Sequence, residues 1–262
     1  RQLGYARIVP PSRLLAPDGA AASVVSFRHG SASLVAESFG EGERTYVLLH
    51  GIGMGRSVFV DLASRLNGRI IGIDLAGFGE APEPEALLSM PAHADLVAAF
   101  LGSHGIRDAV IIGHSMGCQV AMEMAVRAPD RVGALVLAGA TVDESARTLR
   151  QQAWRMLWDV LRERPVVIWR GLREYVRGGP HVFAKIRAML DHRPEDLGPR
   201  IHVPALVVRG SDDEVVPERW ARRLAATMPH STYAEIPGFR HETMIFDAAP
   251  VVALIDELVD DL

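Results

Sequence analysis

Four short apolar runs constrain the fold of this chain more than any other feature. Thr45–Leu49, Ile70–Asp74, Ala109–Ile112 and Ala134–Ala138 are rich in Val, Ile and Leu and run into glycine or turn residues. They lack the polar alternation of a half-solvated strand, so they suit strands buried on both faces of a parallel sheet. Helical segments lie between them at Val58–Leu66, Ala92–His104 and Gln119–Ala128. The last stops at Ala128-Pro129-Asp130, because proline disfavours helix in the residue before it. Alternating strand and helix implies right-handed crossovers and a sheet covered by helices. Ala205–Arg209 and Thr232–Ile236 add two strands, and Pro250–Leu258 reads as a closing helix. Upstream, Val24–Phe27 and Ser33–Glu37 flank Arg28-His29-Gly30 as a hairpin. The expected class is α/β, with a mostly parallel central sheet flanked by helices.

More than sixty residues separate the strand at 134–138 from the strand at 205–209, and they do not fit the alternation. They include Trp154, Trp158, Trp169 and Tyr175 and read as mostly helical. An insertion at the carboxyl end of a strand sits over the edge where open α/β sheets bind ligands. The expected organisation is therefore a core domain of residues 1–140 and 201–262 with a helical cap over 141–200. Trp154, Trp158 and Leu161 recur at i, i+4 and i+7 on one helical face. Such a stripe either lines a substrate pocket or packs the cap onto the body. The same segment holds 12 Arg and Lys against 8 acids, which suits an anionic substrate or a solvated helix surface equally well.

A net charge of -4 lacks the concentrated positive field that nucleic acid requires, so nucleic acid is not expected as a partner. Residues 1–20 read as an irregular leader with no signal-peptide h-region, and the apolar runs fall far short of a membrane span. The single cysteine, Cys118, excludes an intrachain disulfide. The expectation is a cytoplasmic protein, monomer or homodimer, acting on a small molecule away from membranes.

Chemistry enters with Gly113-His114-Ser115-Met116-Gly117, placed directly after one strand and directly before a helix. A bare G-x-S-x-G recurs by chance. In strand–turn–helix context it is a nucleophile elbow, in which serine stands on a strained turn between residues with almost no side chain. The following helix turns its positive end toward the serine oxygen. At this point the chain resembles the α/β-hydrolase family, and the resemblance implies Ser115 as nucleophile.

A second likeness is His50-Gly51-Ile52-Gly53-Met54-Gly55 after the strand Thr45–Leu49. Acyl transfer places negative charge on a carbonyl oxygen, and preorganised backbone N–H groups hold it. The family resemblance implies Ile52 and Met116 as those donors, with His50 and His114 structural. Gly51, Gly53 and Asp74 also mimic a dinucleotide-binding fingerprint. Its third glycine falls on Arg56, whose bulk disfavours that packing.

A third motif, Arg209-Gly210-Ser211-Asp212-Asp213-Glu214-Val215-Val216-Pro217, resembles the family's D-x-x-V-P loop and implies Asp213 as the triad acid, with Asp212 as alternative. Of ten histidines, only His241, in Gly238-Phe239-Arg240-His241-Glu242, lies on the loop after the last strand. The order Ser115, Asp213, His241 matches that of the family. The resemblance spans about residues 24–260 and implies a serine hydrolase that needs no metal and no cofactor. An ester hydrolase for small or medium acyl groups leads. A carbon–carbon bond hydrolase of ring-cleavage products, which often has asparagine in place of His114, is the nearest rival. An acyltransferase or cyclase and a ligand-binding receptor on the same scaffold stay open.

Overall fold

The computed structural model describes Ala16, residues 21–147 and 181–260, and Leu262. Eight strands form one sheet: β1 Ser23–His29, β2 Ala32–Phe39, β3 Thr45–Leu49, β4 Arg69–Asp74, β5 Ala109–His114, β6 Val132–Ala138, β7 Ala205–Gly210 and β8 Ser231–Ile236. Their spatial order is β1-β2-β4-β3-β5-β6-β7-β8. β1 and β2 pair antiparallel at one edge, β2 joins β4 antiparallel, and every other pairing is parallel.

The parallel strands are apolar on both faces because both faces are covered. Val47, Leu49, Ile71, Ile73, Ile111, Leu135 and Val207 point to one side and pack with α2 (Met90–Ser103), α3 (Met116–Arg127), α4 (Val182–Asp191) and α5 (Glu218–Thr227). The intervening residues Tyr46, Leu48, Ile70, Val110, Ile112, Val136 and Val208 face α1 (Val60–Arg65) and α6 (Ala249–Asp260). This odd–even division is the period-2 geometry of strands read on two buried surfaces.

Three features depart from the sequence reading. The expected helix over Val58–Leu66 is a 3-10 turn at Arg56–Phe59 followed by α1, because the Arg56 side chain is drawn inward and Phe59 is buried. α3 starts at Met116, directly on the nucleophile elbow, instead of at Gln119. α5 escaped notice because only Trp220, Ala221, Leu224 and Ala225 are buried in a run otherwise dominated by charge. In the proposed cap, a 3-10 turn at Glu144–Ala146, α4 and two further short turns are described. Trp154, Trp158, Leu161, Trp169 and Tyr175 lie outside the described residues, as does most of the leader. Among the described residues no helix is long and apolar enough to cross a membrane.

The sheet and α3 approach so closely at the elbow that side chains are excluded. A Cβ on Gly117 would lie 2.0 Å from the Leu49 carbonyl oxygen, and one on Gly113 would lie 2.6 Å from the Cys118 nitrogen. Both obstacles are backbone, so neither yields cheaply. Gly117→Ala is expected to lower stability by about 2–3 kcal/mol through overpacking. Urea unfolding checks this, and an unchanged midpoint would mean that α3 sits more loosely on β3.

Candidate active site

The elbow places Ser115 at φ 53°, a left-handed conformation uncommon for a residue with a side chain. The strain is held by its surroundings. Ser115 N–H donates to the Ala138 carbonyl at 3.0 Å, and the Ser115 carbonyl accepts from Cys118 N–H at 3.1 Å. The Cys118 thiol donates to the carbonyls of Gly113 and Ala138. Burial pushes its pKa up, so it is a packed thiol rather than a nucleophile.

Ser115, His241 and Asp213, far apart in sequence, are joined in one line of hydrogen bonds. His241 Nδ1 lies 2.9 Å from Asp213 Oδ2, and His241 Nε2 lies 3.0 Å from Ser115 Oγ. A carboxylate only accepts, so Nδ1 carries the proton and the Nε2 lone pair faces the serine hydroxyl. Asp213 is 3% exposed. Its other oxygen accepts from Val215 N–H at 2.8 Å and Val216 N–H at 2.9 Å. Burial alone would raise the Asp213 pKa. The adjacent His241 and the two amides outweigh it and hold the carboxyl below its usual range. Asp212 is exposed and bonds Ser211 Oγ, so of the two candidate acids Asp213 is the one that meets His241.

Arg209 braces the acid loop, a role that its place at a strand end did not announce. Its buried guanidinium donates to the carbonyls of Val216, Ser211 and Asp213 and pairs with Glu235. Gly139 was missed for a similar reason. It stands at φ +58°, and a Cβ there would lie 3.0 Å from the His241 ring. Leaving that side open gives the imidazole its seat.

The loop after β3 approaches the same serine, since a Cβ on Gly51 would lie 3.1 Å from the Ser115 Cβ. Met54 N–H closes a turn onto the Gly51 carbonyl at 3.3 Å, with Gly53 at φ +72°, where glycine is favoured. Ile52 lies within this turn. Met116 is the first residue of α3, so its N–H has no acceptor inside the helix. Fully buried His50 ties the loop to the end of β4: Nε2 accepts from Leu75 N–H at 3.1 Å, which leaves the Nδ1 proton for the Gly51 carbonyl.

Arg56 closes the loop. It is 2% exposed and its guanidinium meets Glu37, Asp74 and Glu80. Burial alone would weaken its charge, but the adjacent Asp74 and the other two acids keep its pKa above the usual value. Asp74 is committed on both oxygens, accepting from the backbone N–H groups of Arg56 and Glu80. It is buried and paired with the Arg56 guanidinium, so it is not presented to a ribose hydroxyl, which weighs against the dinucleotide reading. Among the described residues no group of three or more His, Cys, Asp and Glu could hold a metal.

Comparison with known proteins agrees with this architecture. Residues 46–167 match the family model described as the alpha/beta hydrolase fold. A pimeloyl-[acyl-carrier protein] methyl ester esterase from Chromobacterium violaceum is 28% identical over 80% of this chain and 91% of its own length. A 2-hydroxy-6-oxononadienedioate/2-hydroxy-6-oxononatrienedioate hydrolase from Paraburkholderia phymatum is 26% identical over 74% of this chain and 79% of its own. Among solved structures, a thermophilic esterase from Thermogutta terrifontis superposes with a TM-score of 0.70 at 25% identity, covering 91% of this chain and 98% of that one. A 2-hydroxy-6-oxo-6-phenylhexa-2,4-dienoate hydrolase from Rhodococcus shares the fold, with a TM-score of 0.74 at 20% identity over 92% of this chain and all (100%) of that one. The chain has the α/β-hydrolase fold and is a hydrolase, similar to esterases and other hydrolases of that fold.

The neighbourhood of the site carries a pH signature. Burial pushes the pKa of His114 down to about 4 and that of His93 on α2 down to about 3. Both stay neutral in the folded protein and take up a proton once unfolded below about pH 6.5. Stability is therefore complete above pH 6.5 and falls as the pH drops toward 4. The expected slope is about 1.4 kcal/mol per pH unit for each histidine. Urea midpoints measured between pH 7.5 and 4.5 test this, and His93→Asn should remove about one proton from the slope. An unaltered slope in that variant would mean that His93 titrates normally.

Proposed function

We propose that this protein is a serine ester hydrolase for small or medium acyl substrates, with Ser115 as nucleophile, His241 as general base and Asp213 as its orienting acid. One observation carries this reading: the unbroken path Asp213–His241–Ser115, at 2.9 and 3.0 Å, with each proton assignable. His241 Nε2 takes the Ser115 hydroxyl proton as Oγ bonds to the acyl carbon, and Asp213 stabilises the imidazolium. The N–H groups of Ile52 and Met116 hold the oxyanion. His241 returns the proton to the departing alkoxide, leaving an acyl-enzyme and an alcohol. Water, deprotonated by His241, then releases the acid and frees Ser115.

This scheme uses neither cofactor nor metal. The partner is a small molecule in the cytoplasm, admitted under a helical cap spanning 141–200, with Trp154, Trp158 and Leu161 as candidate pocket residues. The protein acts as a monomer or homodimer, away from nucleic acid and membranes. Carbon–carbon bond hydrolysis is the second reading, favoured by the ring-cleavage hydrolases among the relatives and fold neighbours. Rates on an aryl acetate and on a vinylogous 1,5-diketone separate the two.

A fluorophosphonate should modify Ser115 alone, and His241→Ala should abolish the adduct, as peptide mass spectrometry would reveal. Ser115→Ala should reduce turnover by about three or more powers of ten with the fold intact. Wild-type-like activity in that variant would end the proposal. Asp213→Asn should cost on the order of 10⁴ in kcat, whereas Asp212→Asn leaves the rate nearly unchanged. The reverse ranking would assign the acid to Asp212.

A further inference from the structure

His114 precedes the nucleophile and ends β5, and it is wholly buried. Its Nε2 lies 2.8 Å from the backbone carbonyl oxygen of His241. A carbonyl cannot donate, so Nε2 carries the proton and donates it. The two imidazoles lie side by side, with ring centroids 5.2 Å apart and planes inclined by 48°. On the other side of the His114 ring lies the loop after β3. A Cβ on Gly51 would come within 3.1 Å of both His114 Nδ1 and the Ser115 Cβ, so the loop is in close contact with the ring. Nδ1 is buried and has no hydrogen-bond partner among the described residues.

One ring therefore touches both walls of the site. Its donor edge fixes the backbone of the candidate base, its bare edge abuts the oxyanion loop, and its own backbone continues into the nucleophile. The loop after β3 and the loop after β8 thus meet at a side chain that ends β5. We infer that His114 is a positioning residue: a neutral imidazole whose Nε2–H anchors the His241 carbonyl and so sets the distance from the base to Ser115 Oγ. This inference rests on the triad reading given above.

The choice of imidazole has a physical reason. The site develops positive charge on His241 during attack, and a second cation 5.2 Å away would oppose it. Burial, reinforced by proximity to His241, keeps His114 neutral at working pH. The charged and titratable groups acting on it are His241, Asp213 and His50, from the loop after β8, the acid loop and the loop after β3. Protonated His114 would bury an Nδ1 proton with no acceptor, a costly arrangement. A neutral donor with a fixed tautomer thus anchors the base without raising charge beside it.

Three variants of the full chain separate anchoring from simple packing. Gln extends an amide N–H to about the place of Nε2, Asn is too short to do so, and Phe fills the volume without a donor. His114→Asn and His114→Phe should lower kcat on an aryl acetate by about 10- to 100-fold, the scale of a base misplaced by about 1 Å, with KM changed much less. The second-order rate of fluorophosphonate capture at Ser115 should fall in parallel. His114→Gln should recover most of the loss in both readouts. Equal losses in the Gln and Phe variants, with melting temperatures alike, would overturn the inference by reducing His114 to packing. Wild-type rates in the Phe variant would overturn it as well. If His114→Asn does not fold, the Gln and Phe pair still decides. Failure of the parent reading looks different, since the wild-type protein itself would then take no adduct at Ser115.

Discussion

The Leu49 carbonyl oxygen and the backbone of Gly117 are in such close contact that a single methyl group has no place between them. The candidate site is built outward from that contact. Because α3 is drawn down onto β3, the residue before it must turn through a left-handed conformation, and Ser115 takes it at φ 53°. That same turn leaves the Met116 N–H at a helix start, beside the serine and across from the loop of Ile52. The candidate nucleophile and the proposed anion-binding edge are thus two consequences of one backbone approach. Close packing supplies the force that keeps the strained residue in place.

The loops around the elbow place a few apolar residues such as Val216 and Met244 in the core, and buried polar groups hold the rest. Arg56 gathers three acids at the loop after β3, and Arg209 binds three carbonyls of the loop that carries Asp213. Guanidinium suits this work because its donors fan out in a fixed plane and its charge survives burial. Two buried histidines, His50 and His114, do the lighter version as neutral donors to the carbonyls of Gly51 and His241. The arrangement leaves the reacting atoms few ways to drift.

Much of this was legible in the sequence because it is local. The apolar runs marked the parallel strands to within a residue or two, and each proposed chemical residue follows such a run. The elbow could be read from the spacing of Gly113, Ser115 and Gly117. The helix expected from Val58 gave way to a tight turn because Arg56 is pulled inward by acids 18, 19 and 24 residues away. α5 was missed since its four buried residues are matched by four charged ones. Arg209 and Gly139 looked ordinary because their partners lie on loops that meet them only in space.

The sequence by itself determined the order of the elements, the position of the elbow and the identity of the candidate nucleophile and base. The elements and the elbow follow from periodicity and glycine spacing, which are properties of short segments, while the candidate base follows from the family resemblance, which implies a histidine on the loop after the last strand. Tertiary structure alone decided which of two adjacent aspartates meets His241, and which nitrogen of each imidazole holds its proton. It also decided that Asp74 serves Arg56 instead of a ribose. Those outcomes depend on distances between segments more than a hundred residues apart in places. Hydrogen bonding is directional within a few tenths of an ångström, so only the assembled fold could choose among chemically equivalent side chains.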